Sequence, residues 1–353
     1  MVLGFTALCA VAPNPETFGT FRLLAGLGLG GLVPSANALA AEYVGPRNRS
    51  VVSTLMMSGV PIGGSLAALT GIFVLPRFGW EAMFLVALLA LVAVIPLCLK
   101  LLPESPVWLR TQGRHAEAER LERRFGLEPG DAAAHVQPAT RQPLRSLLRP
   151  PFTRATVLFA LATLATLFAW YGLGTWLPQL MRESGFDLGS SLTFLLALNL
   201  GAVAGSLVTA WGGTRIGPLR TAIFAAVAAA VGLLILLTHP PSIVAYAALV
   251  FAGVGTHGTQ CLIIAAVANH YPARLRGSAL GFALGFGRIG AVLAPQVGGW
   301  LLAAGLGVDS NFLAFALAAA VAGGLLLAFP RAPQDQAPAY PDRLLETQGA
   351  TRS

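Results

Sequence analysis

Long apolar segments separated by short polar ones make up most of the chain. Nine of them are long enough to form a helix that crosses a bilayer, because a hydrocarbon core about 30 Å thick is spanned by roughly 20 helical residues. The nine are 17–42, 51–75, 82–102, 155–181, 190–212, 219–238, 241–269, 277–304 and 311–330. A tenth apolar segment, 1–12, is too short to cross. None alternates apolar with polar residues as a half-buried strand would, and lipid offers no partner to backbone polar groups. The pattern therefore predicts an all-α membrane protein of about ten spans.

The composition narrows the class of protein further. Of the 353 residues, 55% are hydrophobic and 11% are charged, whereas a soluble domain is about 45–50% apolar and about 25% charged. This excludes a soluble enzyme, a disordered protein and a secreted disulfide scaffold. The three cysteines lie singly in apolar segments, without the spacing of a metal site. The chain also has no GxxxxGK[ST] phosphate-binding motif, so we expect no enzyme activity, no metal and no cofactor.

The positive charges predict the orientation in the membrane. Of the 23 Lys and Arg residues, 19 fall in one set of alternate loops. The opposite loops hold only Arg77 and Arg182, and Arg22 and Arg288 lie within apolar segments. By the positive-inside rule the 19-residue side, which includes the C-terminus, is cytoplasmic in an inner (plasma) membrane. The net charge of +8 therefore indicates topology rather than a nucleic-acid partner, and glutamates interleave the basic run 110–124 as in a solvated helix.

A polar stretch over 103–152 divides the chain. It contains seven prolines, too many for a packed domain, and is predicted to be a cytoplasmic linker. We therefore expect an incomplete N-terminal helical bundle over 1–102 and a C-terminal six-helix bundle over 153–330. The polar residues 331–353 are predicted to form a disordered cytoplasmic tail.

An internal repeat relates the two halves. At a shift of 227 residues, small and basic residues coincide in order: Ala25, Gly26, Gly28, Arg47 and Arg49 fall on Ala252, Gly253, Gly255, Arg274 and Arg276. Many secondary transporters consist of two such halves. Three apolar segments precede Gly253 in the second half, but only the segment 1–12 precedes Gly26 in the first. The repeat thus predicts that two spans and part of a third would precede Met1.

One group of residues resembles motifs of the major facilitator superfamily. Arg22, Gly26, Gly28, Pro34 and Glu42 resemble the signature of its fourth helix. Pro103, Glu104, Ser105 and Pro106 resemble the motif that follows its sixth helix. The resemblance implies a major-facilitator-type two-bundle helical transporter of about twelve spans, of which this chain contains the third to the twelfth.

A second group resembles, within that superfamily, the aromatic acid:proton symporter family. Its members lie in the C-terminal half: Trp176, Leu177, Pro178, Tyr271, Pro272, Arg276, Gly277, Gly287, Arg288, Ile289, Gly290 and Pro295. This resemblance implies proton-coupled uptake of a small aromatic carboxylate. The acidic first helix of the family and its first characteristic loop would both precede Met1.

Arg288 is the first candidate for substrate binding. It lies 11 positions into the segment 277–304, about 16 Å deep at 1.5 Å per residue. A charge at that depth costs at least about 2.5 kcal/mol and persists mainly where it faces a cavity or a partner. The guanidinium fork matches a carboxylate. A structural ion pair or a gate contact is the alternative interpretation.

Five other side chains are candidates for the same site. Trp170 and Tyr171 are suited to stacking on an aromatic ring. Asn199, Gln260 and Gln296 offer polar contacts within apolar segments.

Three residues are candidates for gating or proton coupling. Arg22 lies five positions into its segment; the family motif favours a structural or proton-linked role, and snorkelling to the interface is the alternative. Glu42 is placed to pair with Arg47 or Arg49 at a cytoplasmic gate, or is a solvated carboxylate. His257 lies in mid-span, where an imidazole can relay protons, although a packed, hydrogen-bonded histidine is the commoner occurrence.

The preferred hypothesis is proton-coupled uptake of a benzoate- or hydroxybenzoate-like acid by alternating access. Its partners would be a small-molecule organic anion, protons and the lipid bilayer, and we expect a monomer. A major facilitator transporter of another cargo (a sugar, another metabolite or an exported drug) is the second hypothesis. The third is a truncated product, or a membrane partner, that transports nothing.

Overall fold

The computed structural model describes residues 1–44, 49–127, 146–271 and 273–329, and these residues form helices without a strand. In chain order the helices are α1 Val2–Leu8, α2 Pro15–Glu42, α3 Arg49–Leu101, α4 Pro106–Thr111, α5 His115–Phe125, α6 Thr153–Glu183, α7 Leu188–Ile216, α8 Pro218–Leu236, α9 Ser242–His270, α10 Ala273–Ala303 and α11 Gly307–Leu327. A short 3-10 turn, Cys9–Val11, follows α1. The expectation of an all-α membrane protein is confirmed.

Seven helices of the described chain are long and apolar enough to cross a membrane. One of them, within α3, is broken at Gly79, whose φ of 77° favours glycine. The break separates the two predicted segments 51–75 and 82–102, so α3 corresponds to both. Helix α2 has 28 residues, a length of about 42 Å, which also exceeds the hydrocarbon core.

Several helices begin where the sequence supplies a cap. The Asn14 side chain accepts a hydrogen bond from the Thr17 amide at the start of α2, with Pro15 in the first turn. Asp187 caps α7 in the same way. Such side chains satisfy amide groups that the first turn leaves unpaired, so these starts are local properties of the sequence.

The helices α6 to α11 pack into one bundle. Helix α9 contacts both α7 and α8 along its length, while α6 packs against α10 and α11. The closest approaches occur at glycines. A Cβ added to Gly253 would overlap the carbonyl oxygen of Leu198 in α7, and one added to Gly255 would overlap that of Ala225 in α8. Small residues permit this backbone contact between helices in a membrane.

The first half of the chain meets the second along one face of α3. Gly64 lies against the Asn199 side chain of α7, and Gly71 lies against Leu192. From the first pair to the second, the chain advances seven residues along α3 and goes back seven residues along α7. The two helices therefore run antiparallel, with glycines in their contact. We call this contact the α3–α7 seam.

The described part of the linker forms the short helices α4 and α5. Arg110 donates two hydrogen bonds to the Glu122 carboxylate, at 3.1 and 2.7 Å, and Glu122 is buried. The sequence interpretation of the run 110–124 as one solvated helix is therefore wrong in part, because a turn divides it and Glu122 is packed. The predicted tail 331–353 lies outside the described residues.

Candidate functional site

The Arg288 guanidinium lies beside Tyr171. Its Nη1 donates a hydrogen bond of 2.8 Å to the Tyr171 hydroxyl oxygen, and its Cζ lies 5.9 Å from the centre of the Tyr171 ring. Arg288 is the middle residue of α10, 15 positions from each end of Ala273–Ala303. Arg288 therefore lies midway along its helix, and its depth in the membrane stays a prediction.

Two glycines, one before and one after Arg288, bring α10 close to α6. A Cβ on Gly290 would overlap the carbonyl oxygen of Leu164, and one on Gly287 would overlap the Thr163 side chain. Neither glycine has room for a larger side chain. This close packing places Arg288 within reach of Tyr171.

The remaining surface of Arg288 is accessible. Its side chain is exposed, and among the described residues no carboxylate lies within 4.0 Å of it. A guanidinium has five N–H donors, of which the hydrogen bond to Tyr171 uses one. The arrangement can accept a carboxylate through two parallel hydrogen bonds.

His257 and Gln260 form a second polar cluster, on α9. Both are buried, with exposed fractions of 5% and 6%. The Nε2 atom of His257 and both polar side-chain atoms of Gln260 have no hydrogen-bond partner, which costs about 1–3 kcal/mol for each buried group. The Trp170 ring lies 5.2 Å from the His257 ring. The sequence expectation of a packed histidine holds for its ring, but its Nε2 atom is not hydrogen-bonded.

Trp170 and Tyr171 join the two groups, because they are neighbours on α6. Trp170 faces His257, while Tyr171 faces Arg288. The structure therefore connects four of the predicted residues through contacts at neighbouring positions of α6, and Gln260 lies three residues beyond His257 on α9.

Asn199 and Gln296 are not part of this arrangement. Asn199 is buried in the α3–α7 seam against Gly64, and its Nδ2 donates to the Leu195 carbonyl oxygen at 2.9 Å. Gln296 is exposed on α10, eight residues beyond Arg288, which is about 12 Å along a helix. The prediction that both join Arg288 in one site finds no support in these positions.

Two of the three residues predicted for gating or proton coupling, Arg22 and Glu42, lie on α2, whereas His257 lies on α9. Arg22 is exposed near the beginning of α2. At the end of α2, Ser105 Oγ donates a hydrogen bond of 2.5 Å to the Glu42 carboxylate. Arg47, one predicted partner of Glu42, lies outside the described residues, as does the side chain of Arg49.

Tyr43 adds a second contact at the end of α2. Its hydroxyl donates to the Glu104 carbonyl oxygen at 2.5 Å, and its ring meets the Phe125 ring edge-on at 5.1 Å. Burial, together with the charges of Glu42 and Glu104, raises the pKa of Tyr43 to about 12. The phenol is therefore neutral at physiological pH and acts as a donor, which ties α2 to the beginning of the linker.

Asn311 is a buried polar residue that the sequence reasoning missed. It is fully buried in α11, and both of its polar side-chain atoms are without a partner. Nearby, Trp176 donates from Nε1 to the Pro295 carbonyl oxygen at 3.0 Å, so Trp176 connects α6 to α10. The available signal was an asparagine within an apolar segment.

Comparisons with known proteins point to one family. The sequence model described as Major Facilitator Superfamily matches residues 1–295 and 189–348. The chain is 52% identical over 318 residues to the gentisate transporter of Corynebacterium glutamicum, covering 89% of this chain and 67% of that protein. It is 33% identical over 321 residues to the benzoate transport protein of Acinetobacter baylyi, covering 89% and 69%. The 4-hydroxybenzoate transporter PcaK of the same organism is 29% identical over 311 residues, covering 85% and 68%.

Solved structures agree on the fold. A crystal structure of the D-xylose–proton symporter superimposes with a TM-score of 0.67 at 15% identity, covering 94% of this chain and 80% of that one. The inward-open xylose transporter XylE from E. coli superimposes with a TM-score of 0.66 at 16% identity, covering 95% and 80%. At such identities the similarity concerns the fold alone.

Proposed function

This chain belongs to the major facilitator superfamily of transporters, and from that premise we propose that it takes up a small aromatic carboxylate together with protons, by alternating access. The similar proteins named above for gentisate, benzoate and 4-hydroxybenzoate support this substrate class. The observation that carries the proposal is Arg288, a mid-helix guanidinium with an exposed side chain and a neutral partner.

Arg288 binds the carboxylate of the substrate in this scheme. Tyr171 occupies one N–H donor, and the remaining fork can meet both carboxylate oxygens at once. An ion pair of this kind is stronger away from bulk water, where the effective dielectric constant is lower. The planar faces of Trp170 and Tyr171 lie beside the two polar groups and are available to the ring of the substrate.

The proposal extends to the remaining machinery. Arg22, Glu42 and His257 are the candidates for proton coupling or gating. The linker 103–152 joins a bundle over 1–102 to one over 153–330, and the two rock about a site near the bilayer midplane. The protein works as a monomer in the inner membrane. Its C-terminus lies in the cytoplasm in this proposal, an orientation that the excess of basic residues on one side supports.

Uptake of labelled gentisate, benzoate and 4-hydroxybenzoate by cells without their own carriers tests the proposal. We expect Arg288→Ala to lower uptake to background, at least about 100-fold, because loss of a charge-assisted hydrogen-bond pair exceeds about 3 kcal/mol. A protonophore should abolish accumulation by the unaltered protein.

Arg182→Ala is the matched control, since Arg182 is an exposed arginine at the end of α6. It should transport normally. Full uptake by Arg288→Ala, at equal protein level, would contradict the role of Arg288. Uptake of a sugar in place of all three acids would establish the other-cargo hypothesis instead.

A further inference from the structure

The cluster of His257 and Gln260 has hydrogen-bonding capacity that the protein itself does not use. Three side-chain atoms in it are buried without a partner, namely His257 Nε2, Gln260 Oε1 and Gln260 Nε2. Both residues are more than nine-tenths buried. They are three positions apart on α9 and so lie on neighbouring parts of one helix face.

We infer that His257 and Gln260 form a subsite for a hydroxyl group on the aromatic ring, so that the carrier prefers hydroxylated aromatic acids to benzoate. This inference rests on the proposed function, in which Arg288 holds the carboxylate. It adds a second contact, which determines specificity.

The chemistry of the two side chains favours a hydroxyl over a second carboxylate. The Gln260 amide has both an acceptor oxygen and donor N–H groups, and a neutral imidazole likewise donates at one nitrogen and accepts at the other. A phenol hydroxyl can donate one hydrogen bond and accept others, so it can satisfy both sides of the amide. A carboxylate only accepts and would leave Gln260 Oε1 unpaired. No Lys or Arg lies within three residues of either side chain along α9 to balance a charge.

The cluster and Arg288 are connected through two neighbouring residues of α6. Trp170 packs on His257 at 5.2 Å between ring centres, and its neighbour Tyr171 holds Arg288. Side chains of consecutive helical residues point about 100° apart, so the carboxylate and hydroxyl contacts stand on adjacent faces of the same turn of α6.

One residue of the first half of the protein lies against the subsite. His257 lies close enough to the backbone of Met57, in α3, to interact with it. Because α3 belongs to the first half of the chain and α9 to the second, a movement between the halves changes this contact. Burial in one conformation is therefore compatible with substrate access in another.

Competition for labelled uptake, or direct binding to the purified protein, tests the inference. The probes are benzoate, the 2-, 3- and 4-hydroxybenzoates and 2,5-dihydroxybenzoate. We expect at least one hydroxylated acid to bind about tenfold more tightly than benzoate, because a site built to hydrogen-bond a hydroxyl leaves its polar groups unpaired when the hydroxyl is absent.

Gln260→Met keeps the volume of the side chain and removes its polar atoms. It should reduce the preference for the hydroxylated acid at least about fivefold, through a loss that is larger for that acid than for benzoate. His257→Phe keeps a ring against Trp170 and should act in the same direction. The control is Thr259→Val. The Thr259 hydroxyl is already hydrogen-bonded within the protein, to the Ala222 carbonyl oxygen of α8 at 3.3 Å. The Thr259→Val carrier should therefore prefer the hydroxylated acid as strongly as the unaltered protein does.

Three results would overturn the inference. One is an unaltered protein that binds benzoate as tightly as every hydroxylated acid, a measurement that needs no variant. Another is that both Gln260→Met and His257→Phe keep the full preference for the hydroxylated acid over benzoate. The third is that Thr259→Val reduces this preference as much as those two variants do. Uptake of none of these acids by the unaltered protein would instead refute the proposed function, and the inference with it.

Discussion

At the scale of single residues, Tyr171 separates two roles that an aromatic side chain can have at this site. Its hydroxyl accepts a hydrogen bond from Arg288, and its ring is available for stacking. Tyr171→Phe removes the first and keeps the second. We expect it to raise KM for the aromatic acid about three- to tenfold, with a smaller effect on kcat, because a hydrogen bond that orients the guanidinium contributes about 0.5–1.5 kcal/mol.

Tyr246→Phe is the matched control for Tyr171→Phe. The Tyr246 hydroxyl likewise hydrogen-bonds one side chain in the same half of the protein, Thr193 Oγ1 at 2.5 Å, but that partner is uncharged. Loss of the Tyr246 hydroxyl should leave KM for the aromatic acid unchanged. An unchanged KM in Tyr171→Phe would show that the hydroxyl does not position Arg288.

The candidate site was predictable residue by residue only where a side chain is unusual for its surroundings. A charge in an apolar segment marked Arg288, and an imidazole in mid-span marked His257. Asn199 carried the same kind of signal as Gln260, yet it lies in the α3–α7 seam against Gly64. Tertiary packing decides which neighbouring helix a polar residue faces. The sequence therefore offered no reason to prefer Gln260 over Asn199 as a site residue.

At the scale of helices, the contact between α6 and α10 depends on Gly290. Its added Cβ would overlap the Leu164 carbonyl oxygen, which belongs to the backbone and cannot turn away. Gly290→Ala should therefore lower the free energy of unfolding by about 1–3 kcal/mol, as overpacking does. It should also reduce uptake, because Arg288 lies two residues away. Thermal unfolding in detergent and uptake at equal protein level measure the two effects.

Gly285→Ala provides the comparison on the same helix. Nothing lies within 4 Å of a Cβ added there, and alanine favours a helix over glycine by about 1 kcal/mol. Gly285→Ala should match or exceed the unaltered protein in stability. Equal unfolding temperatures for the two alanine variants would contradict the proposed importance of the close contact.

The helices themselves were largely predictable, and their partners were not. Apolar length indicated the spans, and the polar residues near Gly79 indicated the division of α3. The many glycines in the apolar segments suggested that helices pack closely, but the sequence did not show which of these glycines lie in helix contacts. Only the structure distinguishes Gly253, which touches the backbone of α7, from Gly285, which touches nothing beyond its own helix.

At the scale of the whole molecule, the proposed orientation can be tested with single cysteines in a cysteine-free background. Thr238 lies in the exposed connection between α8 and α9, and Gln112 follows α4 in the linker. An impermeant maleimide should label Thr238→Cys in intact cells and Gln112→Cys only after the membrane is opened. Labelling in the reverse order would place the C-terminus outside.

The class of the protein was readable from the chain alone, because the bilayer directly selects the length of apolar segments and the placement of charges, and the internal repeat indicated a two-part transporter. The sequence also singled out Arg288, since an uncompensated charge in a span needs an explanation. The packing of the helices was needed to show that Tyr171 is the partner of Arg288, that His257 lies beside Trp170, and that His257 and Gln260 keep unpaired polar atoms. The physical reason is that these relations join α6 to α9 and α10, and helix–helix contacts depend on which faces pack together, not on the order of residues within any one helix.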